Sequence, residues 1–193
     1  MFVRNLLAAG ALALAGLTTA HASLVSAGTD GSWNQFDVTR DLAADGGVGW
    51  IDINDGSALS FQFTVNAGFV GTLTVVDTGF AGDRFSVSIN GNPLLPTSTA
   101  VNSYPTAIGQ ADFDAALANA DYSRGIFSLG AGTYTVTGAL FASALDGAGM
   151  ALDATSGGLK VDVSPVPLPP ALLLLASGLG MLGTRLRRRA GTK

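Results

Sequence analysis

Residues 58–67 read ALSFQFTVNA, and the alternation in this stretch is strict. Leu59, Phe61, Phe63 and Val65 fall on one side of an extended chain; Ser60, Gln62, Thr64 and Asn66 fall on the other. A period of two with one apolar face is the signature of a half-buried strand. Working outward, GTLTVVDTG (71–79) continues in the same manner, and DRFSVSING (83–91) places Phe85, Val87 and Ile89 inward. Asn90-Gly91 suits a tight turn because both residues tolerate positive φ. Upstream, GVGWIDIND (47–55) predicts a further strand with Trp50 near its start. Downstream, RGIFSLGAGTYTVTGALFAS (124–143) predicts a hairpin turning at Gly130–Gly132, and GMALDATSGGLKVDVS (149–164) a second turning at Gly157-Gly158. Ala and Leu at helical spacing predict one short helix over 112–120, with Asp112 placed to cap it. Short strands broken every 8–12 residues by Gly, Asn and Asp describe an all-β fold: a single, jelly-roll-like β-sandwich.

Both ends of the chain differ from this middle. At the N-terminus Arg4 precedes an apolar run, Leu6 to Leu17, and Ala20-His21-Ala22 then offers the small-x-small pattern of a signal cleavage site. Residues 1–22 therefore read as a signal peptide, with cleavage after Ala22. At the C-terminus, SPVPLPP is stiffened by proline, and Val163 to Thr184 carry no charge. Fourteen helical residues from Ala171 to Thr184 would span about 21 Å against a hydrocarbon core of roughly 30 Å. Arg185, Arg187, Arg188 and Arg189 follow at once, a stop-transfer cluster whose stems can snorkel and which favours the cytoplasmic side. The expected organisation is signal peptide (1–22), extracellular sandwich (23–164) and sorting tail (165–193). The protein would begin as a membrane-anchored precursor with its domain outside, later reaching the cell surface or medium.

Composition narrows the chemistry. All 14 acidic residues are Asp and lie between Asp30 and Asp162, where only Arg40, Arg84, Arg124 and Lys160 oppose them. A domain at net −10 repels phosphate backbones, which argues against nucleic acid as a partner. The one histidine is His21, and the chain has neither cysteine nor glutamate. Triad catalysis, His- or Cys-based zinc sites and thiol chemistry are thus excluded from the domain. Paired aspartates leave a glycan hydrolase conceivable. Abundant Asp with few cations also admits calcium, with Asp52 and Asp55 in DINDG and Asp77 and Asp83 in DTGFAGDR as the candidate ligands. The competing reading is turn chemistry, in which Asp bonds to its own backbone, or neutralisation of one carboxylate by Arg84. Trp33, Trp50, Tyr104, Tyr122 and Tyr134 are the aromatic candidates for sugar stacking; Trp33 and Tyr104 lie in loop-like sequence.

The order of box, apolar span and arginine cluster in VPLPPALLLLASGLGMLGTRLRRR (166–189) resembles the PEP-CTERM class of bacterial sorting signals, and specifically its VPLPA-CTERM variant. The resemblance covers Val166, Pro167, Leu168 and Pro169, the Gly-bearing span with Gly178, Gly180 and Gly183, and the arginines; Pro170 stands where the motif has Ala. It implies an exosortase-type processing enzyme as partner. GTLTVVDTGFAGDRFSVSINGNPL and DFDAALANADYSRGIFSLGAGTYTVTGAL, within 71–140, are similar to a β-rich domain found in exported proteins bearing such tails. That likeness implies association with exopolysaccharide or biofilm matrix, and brings no catalytic residues. The expected function is a non-enzymatic, exosortase-sorted surface or matrix protein that binds matrix polysaccharide or itself. A two-Asp hydrolase and a calcium-dependent adhesion module are the alternatives, and no cofactor other than calcium is expected.

Overall fold

The computed structural model describes residues 22–167. The signal-peptide residues 1–21, Leu168 and Pro169 of the sorting box, and the arginine cluster lie outside the described residues. Nine strands and one helix follow in the order β1 (Ala22–Ser26), β2 (Asp30–Thr39), β3 (Ala58–Val65), β4 (Phe69–Thr78), β5 (Arg84–Ile89), β6 (Asn92–Pro93), α1 (Phe113–Ala118), β7 (Arg124–Leu129), β8 (Gly132–Ala142) and β9 (Ala154–Pro165). They form two sheets, ordered β1-β3-β8-β5-β6 and β2-β9-β4-β7. The pairings are antiparallel except β1 with β3. The described residues form an all-β sandwich with one short helix.

The alternation read from the sequence places the core. Leu59, Phe61, Phe63 and Val65 of β3 and Phe85, Val87 and Ile89 of β5 are buried on one sheet. They face Phe36, Val38, Leu73, Val75, Leu159 and Val161 of the other. At the centre the Phe36 and Trp50 rings stack at 4.0 Å, and the edge of Phe85 meets Phe36 at 5.0 Å. Interdigitated inner faces of two sheets make such a core about 10 Å thick. β4 is buried on both faces, because α1 and the loops around it cover Val76 with Phe113, Ala116 and Tyr122. The Asn90-Gly91 turn is as expected: φ is 51° and 77°, and Ile89 pairs with Asn92.

Three local expectations fail, each for a tertiary reason, and a fourth is met except for its cap bond. Residues 124–143 do not form a hairpin, since β7 pairs with β4 in one sheet and β8 with β3 and β5 in the other. The glycines at 130–132 carry the chain between sheets. Gly157 and Gly158 do not turn; they lie inside β9, where a Cβ would overlap the Phe36 ring at one and the Phe113 ring at the other. Gly-Gly here marks close approach of aromatic rings from both faces. The Trp50 segment makes isolated bridges rather than a strand, with Gly49 opposite Ala139 and Ile51 opposite both Asp37 and Ala58. It straps one flank of the sandwich by touching both sheets. The helix lies where expected, α1 spanning 113–118 with Asp112 at its N-cap position, but the Asp112 side chain makes no cap hydrogen bond; at the opposite end Arg124 donates to the Leu117 carbonyl at 2.6 Å.

The two outer boundaries meet the flanking segments directly. Ala22 is the first residue of β1 and pairs with Ala58. β9 ends at Pro165, opposite Phe69, and the Val166 amide donates to the Gly68 carbonyl. Val166 and Pro167 leave the sheet from there. Among the described residues, no helix is long and apolar enough to cross a membrane.

Candidate functional site

Two concavities lie side by side along β2. The first, about 400 Å³, is lined by Asp37, Thr78, Phe80, Gln110, Thr155 and Ser156, with Ile53 and Ile108 among its apolar walls. The second, about 330 Å³, is lined by Asn34, Gln35, Asp52, Asn54 and Phe61. Asp37 and Ile53 border both, so they form one groove. Successive strand residues point to opposite faces. Phe36 and Val38 therefore enter the core while Asp37 turns to the groove. Asp37 is held in place: the Ser156 hydroxyl donates to its Oδ1, and Gln35 Nε2 lies 3.2 Å from each carboxylate oxygen. Phe80 forms part of the wall, and Tyr104, 39 % exposed, packs its ring 5.0 Å from that of Phe80. The groove thus combines an aromatic rim with amide, hydroxyl and carboxylate groups that can both donate and accept.

The four carboxylates singled out in the sequence separate into two environments. Asp52 and Asp55 make turn bonds: Asp52 Oδ1 accepts from the Asn54 amide at 2.9 Å, and Asp55 Oδ1 from the Ser57 amide at 2.9 Å. Asp77 and Asp83 are instead buried between the sheets at one end of the core, 0 % and 1 % exposed. Asp77 continues the inward alternation after Leu73 and Val75, where β4 ends, and Asp83 stands just before β5. Thr155 of β9 lies between them, its hydroxyl 3.4 Å from Asp77 Oδ1. The Ala144 amide donates to Asp83 Oδ1 at 2.8 Å. Asp77 Oδ2 is buried and has no hydrogen-bond partner.

Arg84 does not neutralise this pair. Its Nε and Nη2 donate to the Thr97 carbonyl and Nε also to that of Ser98, while the guanidinium lies 5.1 Å over the Phe141 ring. Among the described residues the ion pairs are Arg40–Asp153 and Lys160–Asp162, neither involving Asp77 or Asp83. Desolvation therefore dominates both carboxyls. It pushes Asp77 up to about 9, with the nearby Asp83 charge adding to the shift, and Asp83 up to about 6 against the opposing Ala144 amide bond. Loss of water disfavours the charged form unless something else compensates it.

Of the aromatic candidates, Tyr104 backs the Phe80 ring of the groove wall without lining the groove itself. Trp33 is not in a loop but in β2, where its Nε1 donates to Asp114 at 3.0 Å and its ring packs on Phe113 and under Lys160. It braces the helix. Trp50 is in the core, Tyr122 is buried with its hydroxyl donating to the Gly79 carbonyl at 2.8 Å, and Tyr134 donates to the Gly130 carbonyl at 2.9 Å. The reading of the sequence missed Asp37, Phe80, Gln110, Thr155 and Ser156. Asp37 had a signal: an aspartate between Phe36 and Val38 runs against strand propensity and asks for a reason. The others come together only through strand pairing.

The chain matches no protein-family model and no curated protein. Among solved structures it is similar to the pre-peptidase C-terminal domain of a collagenase from Bacillus anthracis: 9 % identity, TM-score 0.37, covering 75 % of this chain and 97 % of that one. It is also similar to PliG of Aeromonas hydrophila, a periplasmic inhibitor of g-type lysozyme: 13 % identity, TM-score 0.34, covering 75 % and 100 %. A third likeness is to CorA, a surface-associated copper-binding protein of Methylomicrobium album BG8: 9 % identity, TM-score 0.39, covering 74 % and 98 %. The two-sheet architecture described above rests on the strand pairing of this chain itself.

Proposed function

We propose that this protein is an exported, non-enzymatic sandwich of the cell surface or extracellular matrix, whose β2 groove binds a neutral polysaccharide. The observation that carries the reading is the groove around Asp37, where Phe80, backed by Tyr104, meets side chains able to bond sugar hydroxyls. Aromatic faces and planar polar groups together give an apolar body and fixed hydrogen bonds. The domain's net −10 disfavours polyanionic chains. Export rests on the N-terminal segment, and sorting by an exosortase-type enzyme on the Val166–Pro169 box and its arginine cluster. The exit of Val166 at the end of β9 supports the placing of that box just after the last core strand.

The two-Asp hydrolase is less well supported. A glycosidase sets two carboxyl groups on either side of a scissile bond in contact with substrate. Asp77 and Asp83 are sealed from solvent, and Asp37 is tied to Ser156 and Gln35.

The test is cosedimentation of the full chain with an insoluble neutral β-glucan, against alginate as the acidic comparator. We expect retention on the glucan only, lowered about tenfold or more by Phe80→Ala, a change that leaves the inner core intact. Equal retention of parent and variant, or retention on alginate alone, overturns the groove reading. Fractionation with mass measurement of the surface form tests sorting separately: loss of the arginines is expected, and their retention would make the tail a permanent anchor.

A further inference from the structure

The groove leaves unused the most costly polar feature of the molecule. Asp77 and Asp83 lie together in the interior, drawn from the end of β4 and the approach to β5, with Thr155 of β9 between them. Asp77 is wholly buried and its Oδ2 meets no donor. A buried, unpaired carboxylate oxygen costs the desolvation of that group unless a partner supplies charge or a proton. Neighbouring side chains do not supply charge: Arg84 points to the 97–98 carbonyls, Arg40 is engaged by Asp153, and Asp153 itself bears unfavourably on Asp83. Tyr122, on the other side, donates to a carbonyl rather than to the pair. A proton taken up by the pair, or a cation bound between the two carboxyls, would relieve that cost.

We infer that Asp77 and Asp83 together hold one calcium ion, completed by the Thr155 hydroxyl and by main-chain oxygens of the 78 and 156 peptides that surround it. The Thr155 hydroxyl, beside Asp77 Oδ1, lies 3.5 Å from the Thr78 carbonyl and 3.3 Å from that of Ser156, which also accepts from the Thr78 hydroxyl at 2.9 Å, so hard oxygen atoms gather around Thr155. Calcium takes 6–8 such oxygens in flexible geometry, water included. Two carboxylates with hydroxyl and carbonyl oxygens form a hard, all-oxygen set that suits calcium rather than a transition metal, and no third His, Cys, Asp or Glu side chain joins them among the described residues. The ion would join β4, the β5 approach and β9, tying the two sheets at one end. Its role is structural and independent of the polysaccharide reading.

The experiment uses the purified full chain in a mild non-ionic detergent, stripped with chelator and titrated with calcium chloride at pH 7.5, magnesium chloride serving as comparator. Calorimetric titration and thermal melting are read together. We expect one calcium per chain, a dissociation constant no weaker than about 1 mM, as for extracellular modules, and a melting temperature that rises with saturation. Asp77→Asn and Asp83→Asn should abolish both signals, whereas Asp52→Asn should leave them unchanged. Thr155→Val, which keeps both carboxylates, should weaken binding severalfold and keeps the inference testable if the Asn variants fail to fold. No saturable binding by the parent up to about 10 mM, ten times that limit, overturns the site. So does binding that survives both Asn variants or is lost in Asp52→Asn.

Discussion

DINDG (52–56) and DTGFAGDR (77–84) look alike as sequence: each offers two aspartates and a glycine near a strand end. In the folded protein they have little in common. Asp55 is exposed and Asp52 half-buried, and each carboxylate folds back on a backbone amide two residues ahead, which is ordinary turn chemistry. Asp77 and Asp83 are sealed between two sheets and, among the described residues, form no ion pair with Lys or Arg. The difference comes from phase along β4. Leu73, Val75 and Asp77 share one face, so a strand buried to its last residue takes its aspartate inside. Residue type and spacing describe a carboxylate's chemistry; only its position relative to the core decides whether water or protein must stabilise it.

The comparison breaks most sharply if a carboxylate can be placed in the core at no cost. Phe63→Asp, at a position 4 % exposed beside Tyr134, should destabilise the fold by about 4 kcal/mol or more, or prevent folding. Denaturant unfolding checks this, and near-parent stability would show that burial on this sheet face does not penalise charge.

A smaller effect, with a distinctive sign, comes from pH in the presence of chelator. Burial raises both carboxyls, so their stabilising contribution is full below about pH 4 and is lost as pH rises, through about 6 for Asp83 and about 9 for Asp77. The folded state binds more protons than the unfolded one, so stability falls with rising pH, by up to about 1.4 kcal/mol per pH unit for each proton involved. Asp77→Asn removes one titrating group and offers its amide to Asp83. Across pH 5–8 the variant should lose less stability than the parent and exceed it at pH 8. Parallel melting curves for the two proteins would mean that the pair is solvated.

The smallest effect sharpens the other side. Asp52→Asn retains a side-chain carbonyl for the turn, and should shift stability by no more than about 0.5 kcal/mol. Asp55→Ala, which loses its turn bond, should cost about 1 kcal/mol. An Asp52→Asn penalty as large as that of a buried site would erase the distinction between the two segments.

Much of the fold was legible because strands carry their own evidence. Phe61, Phe63, Phe85 and Val87 alternate with polar residues, and the Asn90-Gly91 turn needs only local conformation. Glycine misleads where it is read as a sign of turning. At Gly157-Gly158 the absence of a side chain makes room for Phe36 and Phe113, residues more than 40 positions away in sequence. The candidate groove was legible only in fragments: Tyr104 by type and Asp37 by its oddness in a strand, whereas Ser156 reaches Asp37 across 119 residues.

The sequence by itself determined the fold class, the inward faces of β3 and β5, the acidity of the domain and the absence of His, Cys and Glu chemistry from it. These follow from composition and from a two-residue period, both of which are local. Tertiary structure alone decided that β7 and β8 part into different sheets, that Trp33 braces a helix, and that Asp77 and Asp83 share a dry space with Thr155. The physical reason is that sheet pairing is a long-range choice, made by summed burial across both layers, and it sets which polar groups lose their water together.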